Sequence, residues 1–220
     1  MNDTYHLIDT TQGGTMRYGP GHKQATHERI LAAAESLFRR EGFAGASVER
    51  VMKAAGLTVG GFYVHFASKD TLLAESVRAF MRKTGPRWLG GLEDLRGREW
   101  LGHFVRRYLS RQNRDNLESG CLMPSVLSDL TRASPEAQAA LAEELEVLVA
   151  EAVARVPAEA GVTARQRALS TLALCFGTMT LARATSSHPL SDEFLEAARA
   201  LLLAEGGTEP QVSAPKKKSR

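Results

Sequence analysis

GLTVGGFYVHFASKD, residues 56–70, predicts a tight turn followed by a short helix with two glycines in its first turn. Gly56 suits the positive φ of a helix end, and Thr58 can cap the helix that follows. Phe62 and Phe66 are four residues apart, so they share one face of that helix and should pack inward. Because glycine costs about 1 kcal/mol relative to alanine inside a helix, we expect packing and a binding partner to hold this segment.

Helix signals lie on both sides of this stretch, and no segment shows the alternation of a strand. Thr26 can cap a first helix that ends at Gly42, and Ser47 can cap a short second one. Ser68 can cap a longer helix that the pair Gly85-Pro86 should stop. Further helices are predicted over residues 92–111, 122–130, 134–157, 164–185 and 191–204. The chain is therefore expected to be all-α, with about nine helices.

Charge is unevenly distributed along the 220 residues. Residues 1–83 carry 11 Lys or Arg against 8 Asp or Glu, whereas residues 84–215 carry 13 against 17. The last five residues, KKKSR, add four positive charges. A basic front on an acidic body favours a polyanionic partner for the N-terminal part.

Simple counts and patterns argue against several other classes of protein. Two cysteines, Cys121 and Cys175, make neither a disulfide framework nor a CxxC motif, so no metal or cofactor is expected. No apolar run approaches the roughly 20 residues of a membrane helix, and a signal pattern is missing, so a cytoplasmic location is expected. The motifs of common hydrolases and nucleotide-binding enzymes are absent, which argues against an enzyme.

The front helices and their tight turn have the outline of a helix-turn-helix unit. In such a unit, the helix after the turn enters the DNA major groove with its N-terminal end. Hydroxyl and N–H groups at helix starts bind phosphate oxygens, and glycine lets the backbone approach the bases. The candidate DNA-binding residues are Ser47, Thr58, Val59, Gly60, Gly61, Tyr63, His65 and Lys69. A plain helical hairpin within a bundle is the alternative.

The segment HERILAAAESLFRREGFAGASVERVMKAAGLTVGGFYVHFASKDTLL, residues 27–73, closely resembles the DNA-binding region of TetR-family transcriptional regulators. The similarity extends from about Thr26 to Phe80. The residues that match the family pattern are Gly56, Thr58, Gly60, Phe62, Tyr63, His65, Phe66, Ser68, Lys69 and Asp70. Val59 departs from it, because many members carry Lys there, so fewer charged groove contacts are expected.

This resemblance implies a homodimer that binds a partly palindromic operator in double-stranded DNA and represses transcription until a small-molecule effector releases it. In the family, residues matching Thr58, Tyr63, His65 and Lys69 commonly hold the DNA backbone, and those matching 59–61 lie against the bases. The chain then divides into a flexible extension (1–25), a helix-turn-helix DNA-binding domain (26–84), a ligand-binding and dimerisation domain (85–206) and a disordered basic tail (207–220).

The C-terminal half should form a helical bundle with a ligand pocket and a dimer interface, as in the family. Aromatic, methionine and neighbouring side chains suggest a pocket lined by Trp88, Trp100, Phe104, Tyr108, Cys121, Met123, Leu127 and Met179. Two apolar stripes predict a dimer interface of Leu169, Leu172, Phe176, Met179, Phe194, Leu195, Ala198, Leu201 and Leu202. Core packing within one chain is the alternative for both sets. Helix spacing predicts a solvated acidic face of Glu143, Glu144, Glu146 and Glu151.

Two other functions stay open at this point. Cys121, in SGCLMPS, is predicted to begin a helix, where the helix N-terminus lowers a thiol pKa. The Gly-Cys-Leu sequence is similar to one branch of the family, some of whose members sense electrophiles or oxidants, so a redox- or electrophile-sensing repressor acting through Cys121 is one alternative. A small buried side chain is the plainer interpretation of that residue. A helical adaptor that does not bind DNA is the second alternative function.

Overall fold

The computed structural model describes residues 20–157 and 160–204, and the regular elements in these ranges are helices, which confirms the all-α class. A 3₁₀-helix, Val59–Val64, lies between the second and third of nine α-helices. The α-helices are α1 Pro20–Gly45, α2 Val48–Ala54, α3 Lys69–Leu89, α4 Gly97–Tyr108, α5 Arg111–Asp115, α6 Met123–Leu130, α7 Pro135–Val153, α8 Ala164–Ala184 and α9 Leu190–Leu203. Helix α1 is interrupted at Gly42, its predicted end, where φ is 70°.

The first helix starts earlier than the sequence predicts. It begins at Pro20, and Thr26 is buried within it instead of capping it. Proline suits the first turn of a helix, because the N–H that it lacks would have no partner there. The expectation of irregular structure is therefore wrong for residues 20–25. The remainder of the predicted extension, and the predicted basic tail, lie outside the described residues.

Helix α3 continues past its predicted end. The pair Gly85-Pro86 does not stop it, and the helix runs on to Leu89. A proline inside a helix removes one backbone hydrogen bond, and the packing of α3 along α7 and α1 outweighs that loss. The domain boundary predicted at residues 84 and 85 therefore falls inside a helix that both parts of the chain share.

The turn of the helix-turn-helix unit has a regular helix-ending geometry. The Ser47 hydroxyl accepts a hydrogen bond from the Arg50 N–H at 3.2 Å and caps α2 as predicted. At the other end, Gly56 has a φ of 68° and donates to the Lys53 carbonyl at 3.0 Å, while the next N–H donates to the Met52 carbonyl at 2.9 Å. This is a Schellman ending, and its left-handed residue favours glycine.

The C-terminal bundle contains one helix that the sequence did not indicate. The predicted helix over 92–111 is shorter, because Leu109 leaves helical geometry, and Ser110 caps the separate helix α5 by accepting from the Asn113 N–H at 3.2 Å. Helices α8 and α9 pack against each other, and α7 packs on both α3 and α8. In the ranges described, no helix has the length and apolarity needed to cross a membrane.

Candidate functional site

The 3₁₀-helix presents one buried and one exposed side. Phe62 and Phe66 are buried and stack with ring centroids 5.6 Å apart, which fixes the helix to the core of the N-terminal unit. On the other side, Val59, Tyr63 and Val64 are 44 %, 70 % and 63 % exposed. Exposed large apolar side chains grouped on one short helix mark a contact surface. Val64 was not among the predicted contacts.

The glycine pair lies at the outer side of this helix. A Cβ at Gly60 would meet no atom within 4 Å, so the fold itself does not require glycine there. A Cβ at Gly61 would lie 3.6 Å from the Met52 methyl, which is an ordinary contact. The N–H of Gly61 donates to the Thr58 carbonyl at 3.1 Å. The open space at Gly60 therefore leaves its backbone accessible to a partner.

The predicted phosphate-binding hydroxyls lie at two helix starts. Ser47 and Thr58 are both exposed. The predicted cap at Thr58 is wrong, because its side chain makes no hydrogen bond to the 3₁₀-helix. Arg50, beside Ser47, is held in a double ion pair with Glu41, whose Oε1 accepts from Nη2 at 2.6 Å. The Arg29 guanidinium donates to the Ala55 carbonyl at 2.7 Å and so ties α1 to the end of α2.

Two of the predicted contact residues are more enclosed than the sequence suggested. His65 is half-buried, with its ring 6.0 Å from that of His27, and its Nδ1 is buried without a hydrogen-bond partner. Burial and the neighbouring His27 lower the pKa of His65. Lys69 donates to the Phe43 carbonyl, and burial lowers the pKa of its ammonium group. Both side chains therefore have structural contacts besides any contact with DNA.

A cavity of about 210 Å³ lies within the C-terminal bundle, between α3, α4, α7 and α8. Its wall is largely aromatic. Trp88 lies against Tyr108 with ring centroids 5.1 Å apart, and Tyr108 lies 6.0 Å from Phe104 and 5.7 Å from Phe176. Other lining side chains are Phe80, Met81, Cys121, Val147, Leu148 and Leu172. A concave, mostly apolar space of this kind is typical of a small-molecule site.

The cavity contains half of the predicted pocket residues. Trp88, Phe104, Tyr108 and Cys121 line it. The other four do not: Trp100 stacks behind Phe104 at 5.2 Å, Met123 and Met179 are buried in the core, and Leu127 is half-buried. Apart from Trp88, the lining side chains of α3 were missed, as were those of α7. Helix periodicity finds an apolar face but does not tell which part of that face borders an empty space.

Cys121 has a different environment from the one predicted. The thiol is buried, and helix α6 begins two residues later, at Met123. Burial raises the pKa of the Cys121 thiol, so the expected lowering by a helix N-terminus is wrong. The backbone around it is held by Asn113, whose side chain accepts from the Cys121 N–H at 3.0 Å, and by Arg183, which donates to the Cys121 carbonyl at 2.8 Å.

The structure separates the predicted dimer residues into two groups. Leu172, Met179, Leu195 and Ala198 are buried within the chain, so they cannot present a surface to a partner. These residues face α4, α6 and α7. The sequence alone does not show which helices pack against α8 and α9. Phe176, Phe194 and Leu202 are half-buried, whereas Leu169 and Leu201 are 45 % and 69 % exposed. The exposed face of α8 continues through Ala173, Gly177 and Leu181.

In the N-terminal unit, a tight turn at Gly56 joins α2 to the exposed 3₁₀-helix, and this arrangement defines the helix-turn-helix class. A family model described as "Bacterial regulatory proteins, tetR family" matches residues 30–76. The N-terminal segment of the chain therefore matches the DNA-binding region of this family of regulators. Among the described residues, no group of three His, Cys, Asp or Glu side chains is placed to hold a metal ion.

A curated relative with a similar N-terminal segment is YerO of Bacillus subtilis (strain 168), an uncharacterized HTH-type transcriptional regulator. It is 31 % identical over 71 residues, which are 32 % of this chain and 25 % of YerO. The match thus spans about a quarter of the relative's length. The relatives are transcriptional regulators, in agreement with the expectation that this chain is not an enzyme.

Solved structures extend the similarity to most of the chain. The reduced form of Escherichia coli NemR has a TM-score of 0.67 at 21 % identity, over 81 % of this chain and 95 % of that one. The regulator FadR from Bacillus subtilis, in complex with stearoyl-CoA, has a TM-score of 0.62 at 15 % identity, over 81 % and 98 % of the two chains. At these identities, the likeness shows a shared fold.

Proposed function

We propose that this chain is a homodimeric transcriptional repressor that binds a partly palindromic operator and leaves it when a small molecule occupies the cavity. The observation that carries the proposal is the two-sided 3₁₀-helix Val59–Val64. Its buried side is fixed by Phe62 and Phe66, while its exposed side presents Tyr63 and the open backbone at Gly60. Such an element reads DNA when its exposed end enters the major groove.

The exposed apolar faces of α8 and α9 support the homodimer. Leu169, Gly177 and Leu181 lie on one face of α8, and Leu201 is exposed on α9. A Cβ at Gly177 would meet no atom within 4 Å, so a second helix has room to approach. A two-fold arrangement of this surface would pair two reading helices, as a palindromic operator requires.

The cavity supports release by a ligand. It lies against α3, and α3 begins at Lys69, directly after the helix-turn-helix unit. A ligand that favours a different position of α3 would therefore change the position of the reading helix. FadR, whose fold is similar, was solved in complex with stearoyl-CoA. Because burial raises the pKa of Cys121, we propose reversible binding here over thiol chemistry.

Selection of bound sequences from random double-stranded DNA, with the purified protein, tests the proposal. We expect two related half-sites about one helical turn or a multiple of it apart, and an affinity that falls steeply with salt because phosphate contacts release counterions. A reporter gene behind the selected operator should be less active when the protein is present. Absence of any selected sequence at low salt would favour the adaptor alternative instead.

A further inference from the structure

One carboxylate departs from the solvated acidic face predicted for α7. Glu143 and Glu146 are exposed, and they pair with Arg78 and Arg165. Glu144, between them, is only 8 % exposed and lines the cavity. The expectation of a fully solvated face is therefore wrong for Glu144, because α7 turns this position towards α3. Glu144 is a buried acidic group in a mostly apolar wall.

The counterion of Glu144 is weakly held. The Arg82 Nε donates to Glu144 Oε1 at 3.2 Å, while the side chain of Arg82 is 73 % exposed to solvent. Because the Arg82 guanidinium lies largely in water, solvent screens its attraction to Glu144. Glu151, the other acidic residue of the cavity, pairs with Arg155, whose side chain is only 18 % exposed. The Arg82 guanidinium can therefore leave Glu144 at small cost, and another cation can take its place.

The aromatic wall beside Glu144 suits a positive charge as well as an apolar body. Aromatic rings attract organic cations through the negative potential of their faces, and rings grouped around a pocket bind quaternary ammonium groups. Trp88, Phe104, Tyr108 and Phe176 form one connected group of rings in this wall. A neutral ligand would use the rings but leave Glu144 with only its exposed arginine.

We propose that the cavity takes a small organic cation with one or two rings, whose charged nitrogen replaces the Arg82 guanidinium at Glu144. The size follows from the volume of about 210 Å³. That volume exceeds the roughly 150 Å³ that accommodates benzene, and it is below the roughly 300 Å³ at which drug-sized pockets begin. As the effector site of the proposed repressor, this assignment rests on the proposed function.

Two probes of equal shape test the charge. Benzyltrimethylammonium carries the cation, and neopentylbenzene is its neutral counterpart with carbon in place of nitrogen. The chain has two tryptophans. Trp88 lines the cavity and Trp100 stacks on its lining residue Phe104, so intrinsic fluorescence reports binding. We expect the cation to bind at least about tenfold more tightly than the neutral probe. Equal or stronger binding of the neutral probe would overturn the proposal.

Matched variants locate the charge. Glu144→Gln should lose at least about tenfold in affinity for the cation and leave the neutral probe unaffected, whereas the exposed neighbour Glu143→Gln should change neither. Arg82→Gln removes the competing cation and should strengthen binding of benzyltrimethylammonium. The proposed replacement of Arg82 at Glu144 would be contradicted if benzyltrimethylammonium bound Arg82→Gln more weakly, or bound a folded Glu144→Gln as tightly as the unaltered chain. The comparison of the two probes on the unaltered chain needs no variant.

Operator binding is measured separately on the same preparations. A chain that binds the cation at Glu144 but selects no DNA would retain this site and lose the proposed repressor function. A chain that binds its operator but prefers the neutral probe would retain the repressor function and lose this assignment. The two proposals can therefore fail independently.

Discussion

The ammonium nitrogen of Lys69 lies 2.5 Å from the carbonyl oxygen of Phe43 and 4.2 Å from the centroid of the Phe43 ring. The N–H of Phe43 in turn donates to the Asp129 carboxylate at 2.8 Å. Phe43 therefore joins the end of α1 to the start of α3 and to α6. Lys69 links parts of the fold, in addition to the phosphate contact predicted for it.

Substitution of this lysine should affect stability. Lys69→Met removes a hydrogen bond to a carbonyl and a contact between a cation and a ring, so we expect the free energy of unfolding to fall by about 1–2 kcal/mol. Urea unfolding followed by circular dichroism measures it. The exposed Lys53→Met should remain within about 0.5 kcal/mol of the unaltered chain. An unchanged free energy of unfolding would assign Lys69 to DNA contact alone.

A large side chain at Gly60 should abolish DNA binding without affecting folding. Gly60→Leu adds a side chain where no atom lies within 4 Å, so the midpoint of thermal unfolding should change little. The same side chain would hold the backbone away from the bases, and operator binding should be lost. Gly61→Ala is the control, because it meets only the flexible Met52 side chain and should fold as well or slightly better. Normal operator affinity of Gly60→Leu would refute the close approach.

A charge on the exposed face of α9 should weaken the homodimer. Burial of a leucine contributes about 1.5–3 kcal/mol, and in a two-fold interface each substitution acts twice. We therefore expect Leu201→Glu to shift the protein from dimer to monomer in light scattering at micromolar concentration. Leu117→Glu, at an exposed leucine that is distant in sequence from α8 and α9, should leave the mass unchanged. A dimeric Leu201→Glu would exclude this face.

The two cysteines should react slowly in the folded chain. Burial raises the pKa of Cys121, and it raises that of Cys175 to about 12. At pH 8 a thiol with the latter pKa is ionised in about one molecule in ten thousand, against roughly a quarter for an unperturbed thiol. Iodoacetamide should therefore label the native chain at least about a hundredfold more slowly than the urea-unfolded chain. Fast labelling of native Cys121 would restore the redox-sensing alternative.

Stability should depend on pH through His65. Its pKa is lowered in the folded chain, so below the unfolded value of about 6.5 the unfolded state binds more protons. The free energy of unfolding contributed by His65 should thus fall as pH drops through 6.5, and level off below the folded pKa. His65→Gln should reduce this slope between pH 7 and pH 5.5, and His103→Gln, at an exposed position, should not. An identical slope in both variants would remove His65 as the cause.

Local signals in the sequence predicted the helix-turn-helix unit well. Ser47 caps α2, Gly56 ends it with a positive φ, and Phe62 and Phe66 face the core, because each of these features depends on nearby residues only. The capping box of Thr163 and Gln166 at the start of α8 is a further feature of this local kind.

The cavity and the proposed dimer face depend on which helices meet, and no local signal carries that information. Leu172 and Phe176 have the periodicity of an interface stripe, yet both line the cavity because α8 packs beside α7. Glu144 has the spacing of its solvated neighbours and is buried by α3. The sequence therefore predicted apolar faces, and tertiary packing decided what each face contacts.

Helix α3 has 21 residues and, at 1.5 Å per residue, a length of about 30 Å. Arg82 and Trp88 lie at its cavity end, and Lys69 lies at the other. Because the helix is this long, a tilt of roughly 5° about its cavity end moves its other end by roughly 2.5 Å. That displacement approaches the spacing of about 3.4 Å between successive bases. In the repressor that we propose, a small adjustment of side chains around a bound molecule would be sufficient to shift the reading helix out of register with its operator.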